Sequence, residues 1–96
     1  MNELAKALED LGETLEEVYT KLKEAGIKGR QTVCSMCPIA NYLSELGFRS
    51  PKVGIGAGID AGSPTTDEIY LGVPHTEATK QFVRAFDDGH FPDLEE

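Results

Sequence analysis

Cys34-Ser35-Met36-Cys37 is the most chemical-looking run in the chain. Two thiols at this spacing make half a zinc site or a thioredoxin-type redox pair, and they lie just before a predicted helix whose N-terminal dipole would lower a thiol pKa. Zinc needs two further ligands. His75 and His90 flank opposite ends of the last predicted helix, about 18 Å apart at 1.5 Å per residue over a dozen helical residues, so at most one of them can join the cysteines. A redox site of this type needs a βαβ setting, and only Gln31-Thr32-Val33 precedes the pair. The plainer reading is a buried cysteine and an N-cap cysteine in an ordinary helix start. A thiol or zinc site at Cys34 and Cys37 stands as the alternative, and no cofactor is expected.

Three further features bear on binding. Gly54, Gly56 and Gly58 fit a loose dinucleotide-binding pattern with Ala61, but that motif must follow a strand and open a helix, whereas these glycines alternate within a predicted strand and run into Ser63-Pro64. They make one side of the strand bare, open to another backbone, to an aromatic ring such as Tyr70, or to a partner. Lys28 and Arg30 sit in a glycine-bearing loop shortly before the helix start at Pro38, where they can form an anion site with its amides. No Ser/His/Asp or paired-carboxylate arrangement stands out. About a dozen residues separate the second and third helices, too many for a helix-turn-helix.

The elements that must position these residues follow from hydrophobic rhythm. Leu4, Ala7, Leu8, Leu11, Leu15, Val18 and Leu22 recur at helical spacing. Gly12 and the Thr14-Leu15-Glu16-Glu17 capping box favour a split into helices over about 3–11 and 15–25, with one continuous helix holding Gly12 inside as the alternative. Pro38 opens a helix over 38–46, with Ile39, Leu43 and Leu46 on one face and Gly47 and Phe48 closing it. Strict alternation of Val53, Ile55, Ala57 and Ile59 predicts a strand over 53–59. A loop over 60–66 leads to a second strand over 68–73 with Ile69, Leu71 and Val73 inward. Ala78, Phe82, Ala85 and Phe86 make the stripe of a last helix over 76–88. The expected fold is a single α+β domain of order α-α-α-β-β-α, its helices packed on one face of a two-stranded antiparallel hairpin.

With 96 residues, 40% hydrophobic and 27% charged, the chain has the composition of one globular domain and buries about two-thirds of its unfolded surface. No apolar run approaches a membrane span, and Met1 to Asp10 is acidic where a signal peptide is basic, so a cytoplasmic protein with reduced thiols is expected. The charge of −8 is uneven. Residues 1–25 total −4, residues 26–52 total +3 through Lys28, Arg30, Arg49 and Lys52 against Glu45, and the last two stretches, 53–75 and 76–96, total −3 and −4. Such a protein repels nucleic acid and anionic membrane at long range unless the basic middle segment is presented as a patch. A second alternative makes the acidic helices and tail a nucleic-acid mimic.

Gly26-Ile27-Lys28-Gly29-Arg30, then Cys37-Pro38-Ile39-Ala40-Asn41-Tyr42-Leu43, and the ending Phe82 to Leu94 with Phe86-Asp87-Asp88-Gly89-His90-Phe91-Pro92-Asp93-Leu94, resemble a group of small uncharacterised proteins of actinobacteria and their bacteriophages. The similarity covers most of the chain. In that group the cysteine before the proline recurs and the earlier one is dispensable, which weakens the metal and redox readings of Cys34. The resemblance carries no activity, and a phage source implies modulation of a host protein. The expectation is therefore a non-enzymatic accessory protein, monomer or homodimer, that binds a protein rather than nucleic acid or membrane through Lys28, Arg30, Tyr42, Gly54, Gly56, Gly58 and Tyr70.

Overall fold

A computed structural model describes residues 3–30, 35–54 and 58–95; Cys34, Ile55, Gly56 and Ala57 lie outside the described residues. Among the described residues the chain forms helices α1 (Glu3–Asp10), α2 (Leu15–Glu24), α3 (Pro38–Glu45) and α4 (Glu77–Asp87), strands β1 (Arg49–Gly54), β2 (Gly58–Gly62) and β3 (Ile69–Val73), and a final 3-10 turn over Pro92–Leu94.

The helices match the sequence rules closely. Gly12, at φ +137°, breaks the first stripe into two helices. Thr14 Oγ1 accepts from the Glu17 amide at 3.2 Å, while the Glu17 carboxylate accepts from the Glu13 amide at 3.0 Å, so the capping box forms in slightly shifted shape. The helices α2, α3 and α4 end the same way. Beyond the glycine cap, the amides of Ile27, Phe48 and His90 reach back to the carbonyls of Leu22, Leu43 and Ala85, each at 3.0 Å, the long bond of a Schellman ending.

The sheet corrects the predicted hairpin. It is a three-stranded antiparallel meander, β1-β2-β3, so the order is α-α-α-β-β-β-α. The predicted single strand over 53–59 is two strands, with Val53 opposite Ile59 and Gly54 opposite Gly58. Three residues separate Gly54 from Gly58, and an odd-numbered connection pairs residues of equal parity. Side chains opposite one another share a face, so the alternation of Val53 and Ile59 passes through the reversal unbroken and imitates one long strand. β1 also starts earlier than predicted, and β2 runs through Asp60–Gly62, which the sequence reading placed in a loop.

One face of this sheet carries the core. Val53, Ile59, Ala61 and Val73 are buried with Leu4, Leu8 and Leu11 of α1, Val18 and Leu22 of α2, Ile39 and Leu43 of α3, and Phe82 and Phe86 of α4. The C-terminal segment seals the far side. Phe91 stacks between Tyr19 (centroids 4.8 Å apart) and Phe82 (5.1 Å), Leu94 is buried, and the Gly29 amide donates to the Leu94 carbonyl at 2.8 Å. Asp93 accepts from the Tyr19 hydroxyl and pairs with Lys23 at 3.1 Å. The Tyr19 bond first, and Lys23 beside it, hold the Asp93 carboxyl below its ordinary range. The Phe-Asp-x-Gly-x-Phe-Pro-x-Leu ending is thus a structural lock.

Candidate functional site

The other face of the sheet is not covered by a helix, and its side chains are set by two irregularities flanking β2. On the β1 side, Arg49 lies opposite Gly62 and Lys52 opposite Asp60, which leaves one residue extra at Ser50-Pro51. On the β3 side, Ile59 lies opposite Val73 and Ala61 opposite Tyr70, which leaves one extra at Leu71-Gly72. A single extra residue reverses the side on which the following side chains emerge. Regular pairing would have put Leu71 opposite Ala61 and facing the core, as the alternation in sequence predicts. Instead Tyr70 turns inward against the core, and Ile69 and Leu71 stand outward, 67% and 73% exposed. The Asp60 carboxylate accepts from the Gly72 amide at 2.7 Å and so fixes the bulge.

Arg49 crosses this open face. Its side chain lies over Gly62, where a Cβ would come within 3.0 Å of Nε. Nε donates to the Ser63 carbonyl at 3.2 Å, and one terminal nitrogen donates to the carbonyls of Thr66 (3.1 Å) and Glu68 (3.4 Å). β1 is thereby tied to the start of β3. All three acceptors are neutral, and neither Arg49 nor Lys52 has a carboxylate within ion-pair distance among the described residues. Lys52 and Asp60 are cross-strand neighbours but do not close on each other. Arg49, Lys52, Asp60, Gly62, Ile69 and Leu71 line a shallow groove of about 260 Å³. Its charged residues sum to +1 on a protein of −8.

The chain matches no family model, curated protein or solved structure. Its chemistry must therefore be read from the groove and from where the predicted site residues fall.

Those residues do not assemble into one site. Lys28 and Arg30 are exposed, but the Gly29 between them packs against the backbone of Met36, Cys37 and Pro38, and Asn41 Nδ2 holds the Lys28 carbonyl at 2.6 Å. The α3 start offers less to an anion than expected, because Cys37 Sγ accepts from the Ala40 amide at 3.4 Å. Cys37 is thus the buried N-cap of the plainer reading, with Tyr42 half-buried nearby. Among the described residues no group of three or more metal-ligating side chains occurs. Gly58, at φ +83°, faces its own chain: a Cβ there would lie 2.7 Å from the Val73 carbonyl oxygen. The Gly54 carbonyl is taken by His75, and Tyr70 belongs to the inner side, where partial burial raises its phenol pKa. Gly56 lies outside the described residues. Arg49, Lys52, Asp60, Ile69 and Leu71 are not among the binding residues that the sequence predicts. Gly72 was the available signal, since a glycine inside a strand pattern marks a bulge.

Ser50 sits at φ +48°, a left-handed conformation that costs a residue with a Cβ about 1 kcal/mol. Ser50→Gly should raise stability by about 0.5–1 kcal/mol, seen as a higher urea midpoint at unchanged slope.

His75 joins the end of β1 to α4. Nε2 carries the proton, since the Gly54 oxygen 2.8 Å away only accepts, and Nδ1 faces Thr79 Oγ1 at 3.1 Å. Burial, reinforced by the Lys80 charge and opposed by the Gly54 bond, holds the imidazole below its ordinary 6.5. The unfolded chain therefore takes up the proton first on acidification. The stability given by neutral His75 is complete above about 6.5 and is lost as pH falls through the folded value. Urea midpoints should decline as pH falls below about 6.5, and His75→Gln should flatten that decline.

Proposed function

We propose that this chain is a small accessory binding protein that acts by protein–protein contact through the open face of its sheet. The observation that carries the reading is the outward turn of Ile69 and Leu71. A bulge held by Asp60 places two aliphatic side chains in water where regular pairing would bury one against Ala61. Isolated exposed apolar residues are ordinary on protein surfaces. Here the pair is contiguous, lies on a face left open by the helices, and is framed by cations with no carboxylate partner among the described residues, which is the anatomy of a recognition patch. The Cys37 and glycine geometry gives catalysis no comparable support. In keeping with the resemblance to proteins of actinobacteria and their phages, the role we assign is modulation of a host protein.

The test uses an Ile69→Thr/Leu71→Thr double variant. Both positions are exposed and threonine suits a strand, so its stability should stay within about 0.5 kcal/mol of wild type. Wild-type bait in an actinobacterial lysate should retain a stoichiometric partner that the double variant loses. A partner retained equally by both baits sinks the reading.

The acidic-mimic reading draws on one observation. Glu9, Asp10, Glu13, Glu16, Glu17 and Glu77 line two surface hollows around Gly12. It requires capture of a DNA-binding protein whose retention falls steeply with salt and ignores Ile69 and Leu71.

A further inference from the structure

We infer that the open sheet face takes a short acidic segment of a partner protein, a carboxylate seated at Arg49 and Lys52 beside an aliphatic or aromatic side chain resting on Ile69 and Leu71. The inference rests on the docking role proposed above and specifies the occupant.

Charge is the first argument. The guanidinium of Arg49 is fixed before any partner arrives: three of its five N–H groups point at the carbonyls of Ser63, Thr66 and Glu68. The remaining terminal nitrogen keeps two donors and the cation keeps its full charge, which suits a carboxylate. The Lys52 ammonium, on the same face, makes no hydrogen bond or ion pair among the described residues. Asp60, the carboxylate in the groove, already accepts from the Gly72 amide. With the groove at +1, the rest of the chain carries −9. Exposed Lys28 and Arg30 make a second basic loop, so an acidic ligand is repelled by the acidic helices and tail and drawn to the cationic surfaces, of which this one sets Ile69 and Leu71 beside the charge.

Size is the second argument. Three strands about 4.8 Å apart, five residues long at about 3.3 Å each, span on the order of 250 Å², roughly a third of the ~800 Å² that each partner contributes to a stable interface between folded proteins. A second copy of this chain seated on the sheet alone falls short of that, and its like-charged Arg49 and Lys52 would meet these. A segment of several residues fits. Extending the sheet at its edge is disfavoured, because both outer strands are short and bulged.

The experiment displays random peptides of about ten residues, enough to cross the face at about 3.3 Å per residue. They are selected on the wild-type protein and counter-selected on Ile69→Thr/Leu71→Thr. Enriched peptides should combine Asp or Glu with Leu, Ile or Phe, and their affinity should fall with added salt. Lys52→Gln should weaken a selected peptide about threefold and Lys52→Glu about tenfold or more. The exposed Lys52 side chain makes no hydrogen bond among the described residues, so Lys52→Gln keeps the fold. Lys52→Glu, which sets a second carboxylate opposite Asp60, and Arg49→Gln, which releases three carbonyls, are read alongside their circular dichroism. Enriched peptides that lack acids and ignore Lys52→Glu overturn the carboxylate while leaving the docking face intact. Failure to enrich peptides, with a lysate partner still lost in the double variant, overturns the segment in favour of a folded partner. A dimer that the double variant dissociates overturns it in favour of a second copy.

Discussion

Phe82→Ala should leave a protein that is largely unfolded at 37 °C, losing about 3–5 kcal/mol of a total stability on the order of 5–10 kcal/mol. Phe82 is fully buried and stands at the centre of an aromatic series. Phe86 lies 6.0 Å from it within α4, and Phe91 lies 5.1 Å away and in turn stacks on Tyr19 of α2. Truncation opens a cavity the size of a phenyl ring between α2, α4 and the C-terminal lock, and the stacking contacts add to the loss of buried area. Phe82→Leu, which keeps most of the volume, should cost less than half as much. Urea denaturation of the two variants checks the order, and equal losses would mean that the cavity is not what matters.

Gly29→Ala is expected to cost about 3 kcal/mol, the upper end for an added methyl group, because nothing beside it can yield cheaply. The new Cβ would lie 2.4 Å from the Met36 oxygen, 2.5 Å from the Pro38 nitrogen and 2.6 Å from the Cys37 carbonyl carbon. All three are backbone atoms, and Pro38 starts α3. Gly29 also carries the bond to Leu94 and bridges to Glu95, so displacing it loosens the helix start and the C-terminal lock together. Gly26→Ala is the control. No atom lies within 4 Å of a Cβ there, and the cost should be confined to its left-handed φ of +72°. Thermal unfolding of the pair separates steric from conformational effects.

The helices were legible because each of their signals is local: a stripe at helical spacing, a hydroxyl or thiol at the N-cap, a glycine past the C-cap. The α1–α2 break at Gly12 and the Schellman ending at Phe48 needed no knowledge of the remaining chain. The sheet was not legible, because its pattern is consistent with two registers. Val53 and Ile59 alternate whether the chain continues or reverses between them, and only tertiary pairing decides. The candidate site inherits that ambiguity. Whether Leu71 faces the core or the solvent depends on one residue inserted near Gly72, and so does the company that Arg49 and Lys52 keep. Lys28, Arg30 and the glycines drew the sequence reading because charge and flexibility are visible residue by residue, whereas a surface assembled from three strands is visible only after they pair.

The Ser50-Pro51 and Leu71-Gly72 irregularities carry one more consequence. A greasy pair on a small sheet ordinarily invites the molecules to stack strand to strand into fibrils. Here each rim of the ribbon is kinked, and on one side it includes a proline, which has no amide hydrogen to lend a neighbour. Concentrated solutions should therefore remain monodisperse, with the sticky surface held in reserve for the ligand shaped to it.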